Sequence, residues 1–296
     1  MKTFKIGIVL TLSGFVNVAI AAAPSCDSKC LSSTVDRYLA QMLKHDVKPL
    51  VVAANAITVE NGKPTKLGEG AWQTVQDYPV LGHTFTDATT GNVVHYNAVT
   101  TSDGKPGSLY VRLKVVNNRI AESEVILRAA AAEESAGVGL LEPDILYMAP
   151  VPEARRSPRA KMLKIVDLYL DAISQHNGAL VPAGPRCDRY QAGNKFTNVP
   201  ELFNRGGGTC QSSLNGLTGQ AVVNRRFPVV DEALGIAVVH FIIPHAERPK
   251  PGATNAAEVF KIVDGKVRSI EEFSFGGAFP VSSGFADEPS PVVWNR

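Results

Sequence analysis

The chain has 296 residues, 30 Lys+Arg against 28 Asp+Glu, a formal net charge of +2 and 45% hydrophobic residues. That length exceeds what one hydrophobic core usually serves and points to two domains. A near-neutral chain without a basic stripe argues against a nucleic-acid partner, since phosphate neutralisation needs clustered Lys and Arg.

The N-terminus has the layout of a secretory signal: Lys2 and Lys5 make a basic start, residues 6–20 form an uncharged apolar run, and small residues follow. Ala19-Ile20-Ala21 suits a signal peptidase, so residues 1–21 are the expected signal and Ala22 the expected mature start. The run is interrupted by Ser13, Gly14 and Asn17 and falls short of the ~20 apolar residues that span a bilayer, so no stable membrane insertion is expected after signal removal. A periplasmic or secreted location makes disulfides the default state of Cys26, Cys30, Cys187 and Cys210. Three pairings exist, and proximity favours Cys26 with Cys30 and Cys187 with Cys210. A zinc site lacks histidines at ligand spacing nearby.

Ser33 followed by Asp36 reads as a helix start, and Val35, Tyr38, Leu39, Met42 and Leu43 recur at helical spacing. Alternating segments follow at residues 93–100, 109–116 and 120–127, with Asn117-Asn118 as a two-residue turn. Then the pattern repeats. Val35-Asp36-Arg37-Tyr38-Leu39 is echoed by Val166-Asp167-Leu168-Tyr169-Leu170 at an offset of 131, and residues 113–120 by residues 260–267 at an offset of 147, with Asp264-Gly265 in the turn. Self-similarity at so long a period implies a duplicated domain. The expected organisation is a first domain over residues 22–128, a linker over 129–157, a second domain over 158–276 and a tail over 277–296. The fold class is α+β, with two tandem cone-shaped domains, each an N-terminal helix packed in a strongly curved antiparallel sheet. Leu140, Tyr147 and their neighbours are too apolar for a free tether, so the linker is expected to pack along both domains.

A long amphipathic helix before a bent sheet with long hairpins resembles the nuclear transport factor 2-like, or SnoaL-like, fold. The segments Glu60-Asn61-Gly62, residues 67–72, residues 113–124, Cys187-Asp188-Arg189 and Arg225-Arg226-Phe227 look like those of secreted two-copy proteins of this fold. The resemblance implies an apolar cone that, in some members of the superfamily, performs cofactor-free isomerisation or elimination; no cofactor or metal is implied. The expected ligand is a small hydrophobic or aromatic molecule, and the expected function is binding with acid–base catalysis of lyase or isomerase type. The alternative is a non-catalytic binding or scaffold protein.

If Asn117-Asn118 is the turn, Val115 faces Ile120, Leu113 faces Glu122 and Val111 faces Glu124. Glu122 and Glu124 would then stand in the cone, where desolvation raises a carboxyl and suits it to proton transfer. Glu271 is the second-copy counterpart of Glu124. The competing reading pairs these acids with cations on an exposed face. Asp231 with His240 would make an acid–base pair if the two meet. Tyr38, Trp72, Tyr169 and Arg225 are the expected ligand contacts, against a plain packing role. His45 and His176 are expected at helix C-termini, where an imidazole suits the dipole. No phosphate-binding loop, nucleophile elbow or paired-histidine metal motif is present.

Overall fold

The computed structural model describes residues 26–129, 138–141, 145–201, 208–217, 221–245, 252–278 and 283–285. The expected signal peptide, Gly206-Gly207 and the tail residues Phe279 and Trp294 lie outside the described residues.

The first copy opens with helix α1 (Ser28–Leu43). Its start is set by Asp27, whose carboxylate accepts the Cys30 amide at 2.8 Å, and by the Cys26–Cys30 disulfide, not by Ser33 as the sequence pattern suggested. Leu31, Val35, Tyr38, Leu39 and Met42 are buried along one face, each worth about 2 kcal/mol of apolar transfer. Strands β1 (Val52–Glu60), β2 (Lys63–Thr65), β3 (Val75–Asp77), β4 (His83–Asp87), β5 (Asn92–Thr101), β6 (Pro106–Val116) and β7 (Arg119–Ala129) build one curled sheet, with the short helix α2 (Ala71–Thr74) before β3. Its order is β2-β1-β7-β6-β5-β3, with β4 also on β5.

The short apolar helix α3 (Ile145–Met148) leads to the second copy: helix α4 (Arg159–Gln175), β8 (Ala183–Gln191), β9 (Asn194–Lys195), the short helix α5 (Ser212–Asn215), and β10 (Val223–Asp231), β11 (Ile236–His245), β12 (Gly252–Val263) and β13 (Lys266–Ala278). The second sheet is ordered β10-β11-β12-β13-β8-β9. The offsets hold in space. β1 shifted by 131 is β8, and the β1–β7 pair Thr58 with Ser123 recurs as Arg189 with Ile270. Asn117, Asn118, Asp264 and Gly265 all have positive φ, as the tight two-residue turns require.

One departure from an all-antiparallel sheet recurs in both copies: β1 runs parallel to β7, and β8 parallel to β13. These strands are joined by long crossovers, not by hairpins, and only a crossover permits parallel pairing.

Each sheet buries two faces. The inner face packs on its own helix, as with Val93, Val111 and Leu113 around α1 and Val239, Phe260 and Ile270 around α4. The outer faces pack on each other: Tyr96, Tyr110 and Ile126 of the first copy share a core with Val238, Val259 and Phe273 of the second. The linker residues Leu140 and Tyr147 join this third core, and the Tyr147 hydroxyl donates to Ser269 at 2.8 Å.

Trp72 fills the first cone. It is 2% exposed, meets the Tyr38 ring edge-on at 4.9 Å and donates its indole N–H to the Tyr38 hydroxyl at 3.0 Å. Trp72→Ala is expected to cost about 3–5 kcal/mol in denaturant unfolding, because the helix above cannot collapse into the space.

Candidate functional site

A β-bulge decides which face of the sheet the β7 carboxylates occupy. The register shifts between the Lys114 and Val115 pairs, leaving Ala121 as the extra residue, so Glu122 lies opposite Lys114 and Glu124 opposite Arg112. One inserted residue exchanges the faces of the strand. The expectation that Glu122 and Glu124 share the Leu113 face is therefore corrected: both stand on the outer face. Arg112 donates to Glu124 at 2.8 Å and to Glu122 at 2.7 Å. Arg226 of the second copy grips both Glu124 oxygens at 2.7 and 3.0 Å.

His240 belongs to the same cluster. It alternates with the inner residues Val239 and Phe241 and so points outward, away from the cone. Its Nδ1 lies 3.1 Å from Glu124, and the Tyr110 hydroxyl is 2.6 Å from its Nε2. The carboxylate selects the tautomer with the proton on Nδ1, leaving Nε2 to accept from Tyr110. Burial pushes His240 down to about 4 against the opposing pull of Glu124, so it is neutral at pH 7. Burial alone would raise Glu124; His240, Arg112 and Arg226 together hold it well below the usual carboxylate range. This cluster is a clamp between copies.

Other expected site residues also resolve into structural bonds. Asp231 accepts the Leu234 amide at 2.9 Å in the β10–β11 turn. It lies roughly 13 Å along the ladder from His240 at ~3.3 Å per residue, so the two form no acid–base pair. Glu271 accepts the Gly193 amide at 2.8 Å and closes the β8–β9 turn. Arg225 binds Asp167 and Asp171 on the outer side of α4 at 2.6 and 2.8 Å. Tyr38 and Trp72 are buried against each other, and Tyr38 meets Ser123 at 2.8 Å. His176 ends α4 in the left-handed conformation, and His45 bonds the Trp72 carbonyl.

Tyr169 does not line a cavity but supports one: it is fully buried, and its hydroxyl donates at 3.0 Å to Glu258, a wall residue of a cavity of about 660 Å³ in the second cone. Glu258 and Glu272 are cross-strand partners on the inner face, and Arg189 reaches between them: its Nη2 lies 3.1 Å from Glu272 and 4.0 Å from Glu258. Gln191 also donates to Glu272, at 3.0 Å. Apolar walls come from Ile173, Leu217, Phe241, Ile243 and Phe275, and Leu127 and Arg128 of the first copy close one side.

Sequence reasoning missed Glu258, Glu272 and Arg189, although the repeat itself marks them. At the same offsets their first-copy counterparts are Val111, Val125 and Thr58. Val111 and Val125 face each other across β6 and β7 as Glu258 and Glu272 do across β12 and β13. Two carboxylates and a guanidinium have replaced an apolar pair and a threonine. The helix at the position of α2 differs too: α5 presents Ser213 and Leu214, with no tryptophan to fill the cone. The disulfide Cys187–Cys210 ties β8 to the segment before α5, and the two meet again where Arg189 donates to Ser213 at 3.1 Å.

Burial, reinforced by Glu272, pushes Glu258 up to about 8, against the opposing effects of Arg189 and the Tyr169 hydrogen bond. Burial also raises the Tyr169 phenol well above its ordinary value, so it remains a donor. Burial alone would lower Arg189, but Tyr169, Glu258 and Glu272 reverse that and it stays charged. Oε2 of Glu258 and Nε of Arg189 have no hydrogen-bond partner among the described residues.

The architecture is that of a tandem α+β chain with one filled and one polar cone. Residues 155–274, which span the second copy from the approach to its helix into its last strand, match a family model described as "Domain of unknown function (DUF8021)". No curated protein matches the chain. A crystal structure of a protein of unknown function with a cystatin-like fold from Methylobium petroleophilum PM1 is similar over 45% of this chain and 86% of that one, at 19% identity and a TM-score of 0.32. The two disulfides suit an oxidising environment, and no helix of the described residues is long and apolar enough to cross a membrane.

Two outcomes follow. Glu124→Ala leaves the buried Arg112 with Glu122 as its remaining anion and takes both carboxylate contacts from the half-buried Arg226, and is expected to cost about 3 kcal/mol, the low end for a broken buried pair, read from urea unfolding. Glu258 holds its proton in the folded state over a pH range where the unfolded chain has lost it. Its stability contribution is therefore fullest below the ordinary 4.5 and is lost as pH rises through about 8. The melting temperature should fall between pH 5 and pH 9 more steeply in the wild type than in Glu258→Gln; parallel curves would refute the raised value.

Proposed function

We propose that this is an exported small-molecule-binding protein of SnoaL-like type whose second copy carries out cofactor-independent acid–base chemistry, as a lyase or isomerase, on a hydrophobic ligand. The observation that supports it is Glu258: a carboxyl with one oxygen fixed by Tyr169 and the other without a partner among the described residues, in the wall of a cavity lined by both polar and apolar side chains. A carboxyl raised to about 8 exchanges its proton readily near neutral pH, which is what a general acid or base requires. Glu272, paired with Arg189 at 3.1 Å, supplies a second carboxyl group beside it. The first copy, filled by Trp72, acts as a support.

Native mass spectrometry of the purified protein would identify the class of any ligand carried through. With that ligand or a close analogue, Glu258→Gln is expected to retain binding and to lose turnover by about 10²–10⁴-fold. Unchanged turnover would remove Glu258 from the chemistry, and binding without turnover in the wild type would leave a binding protein.

A further inference from the structure

The joint between the copies, apart from the cavity, holds a phenol hydrogen-bonded to a base. The Tyr110 hydroxyl lies 2.6 Å from His240 Nε2, and His240 Nδ1 lies 3.1 Å from Glu124. Because the Nδ1 proton serves Glu124, Nε2 keeps a lone pair for the phenol proton. All three side chains are buried. The charged groups around them are Arg112, which bonds Glu122 and Glu124, and Arg226, which bonds Glu124 and approaches His240 Nδ1 at 3.4 Å. Lys114 meets Glu122 at 3.6 Å on the exposed rim. Two carboxylates thus balance the two buried guanidiniums beside the imidazole. Other tyrosines lack such a base: Tyr38 meets the Ser123 hydroxyl, Tyr78 bonds the Leu39 carbonyl, and Tyr169 bonds Glu258, which burial holds neutral.

Tyr110 also belongs to a run of rings through the shared core. It is the cross-strand partner of Tyr96, and Phe273 packs on both, at 5.5 Å from Tyr110 and 4.9 Å from Tyr96. Tyr96 meets Tyr147 edge-on at 6.5 Å, and Tyr147 stands in α3 beside the exposed Ile145 and Met148. Rings this close exchange an electron without any group moving, so the buried Tyr110 is connected to the surface.

We infer that Tyr110 is a redox-active tyrosine: a one-electron oxidant takes an electron from its ring by way of Tyr147 and Tyr96 while its hydroxyl proton passes to His240 Nε2. The O–H bond breaks, an N–H bond forms, the oxidant gains the electron, and a neutral phenoxyl radical is left beside an imidazolium balanced by Glu124. A one-electron reductant reverses the step and the proton returns. The base matters because a phenol that has lost an electron would otherwise be a buried cation, which is costly. An oxidised phenol is far more acidic than an imidazolium, so the transfer is downhill even with His240 lowered by burial.

The test uses the full protein at pH 7 with photogenerated tris(bipyridine)ruthenium(III) as the oxidant, the radical being followed by transient absorption and, after freezing, by electron paramagnetic resonance. The wild type is expected to give a neutral tyrosyl radical that disappears in Tyr110→Phe. His240→Gln keeps polar groups toward Tyr110 and Glu124 but is no base, and is expected to slow radical formation about 100-fold; circular dichroism checks that it is folded. No tyrosyl radical in the wild type, or one that persists in Tyr110→Phe, would overturn the inference, as would an undiminished rate in folded His240→Gln. Each result leaves the acid–base proposal for the cavity standing, since no ligand takes part.

Discussion

Each sheet is apolar on both faces, and both must be covered. Strand β5 is buried at nine of its ten positions, and β11 at nine of ten, so neither sheet tolerates water on one side as a two-layer domain would. The helix covers the inner face and the other copy covers the outer one. Packing outer face to outer face forces the Glu124 carboxylate, Arg112, Arg226 and His240 out of water together, and their mutual hydrogen bonds compensate for that desolvation. Asp87 repeats the device at another point, meeting Arg159 at 2.7 Å and the Val230 amide at 3.0 Å. Lys261, buried in the second sheet, bonds the carbonyls of Ala149 and Leu234 and so ties the segment between copies to the joint.

Once one copy is committed to holding the other in place, only one interior needs to be a cavity. Trp72 closes the first cone, and with it go the requirements that keep a polar group in an apolar wall. In the second cone the Val111 and Val125 positions have become Glu258 and Glu272, a change that would be costly in a packed core. Arg189 and Tyr169 make it tolerable by hydrogen bonding, at the expense of a carboxyl that resists ionisation. A filled core and a polar cavity are thus divided between two copies of one unit.

The duplication, both long helices, the hairpin turns and the two disulfide pairings were legible because each is a local pattern: a helical stripe, a pair of turn residues with positive φ, cysteines close in sequence. The faces of β7 were not. Strict alternation from the Asn117-Asn118 turn assigns Glu122 and Glu124 to the cone, and the bulge at Ala121, with its counterpart at Arg268, reverses that assignment. Nothing in the composition of residues 119–122 announces a bulge, because it satisfies curvature set by the whole sheet. The cavity carboxylates could have been found another way. Aligning the copies at 147 sets Val111 against Glu258 and Val125 against Glu272, and an acid where its twin has valine marks a place where the two interiors differ.

The proposed acid–base role of Glu258 requires its carboxyl beside the cavity to hold a proton near neutral pH. Carbon-13 NMR of glutamate side-chain carboxyls, with Glu258 assigned by its disappearance in Glu258→Gln, follows that proton directly. A titration midpoint near 8 is predicted; a midpoint in the ordinary range near 4.5 would contradict the account, because Glu258 would then be an ionised and well-solvated partner of Arg189.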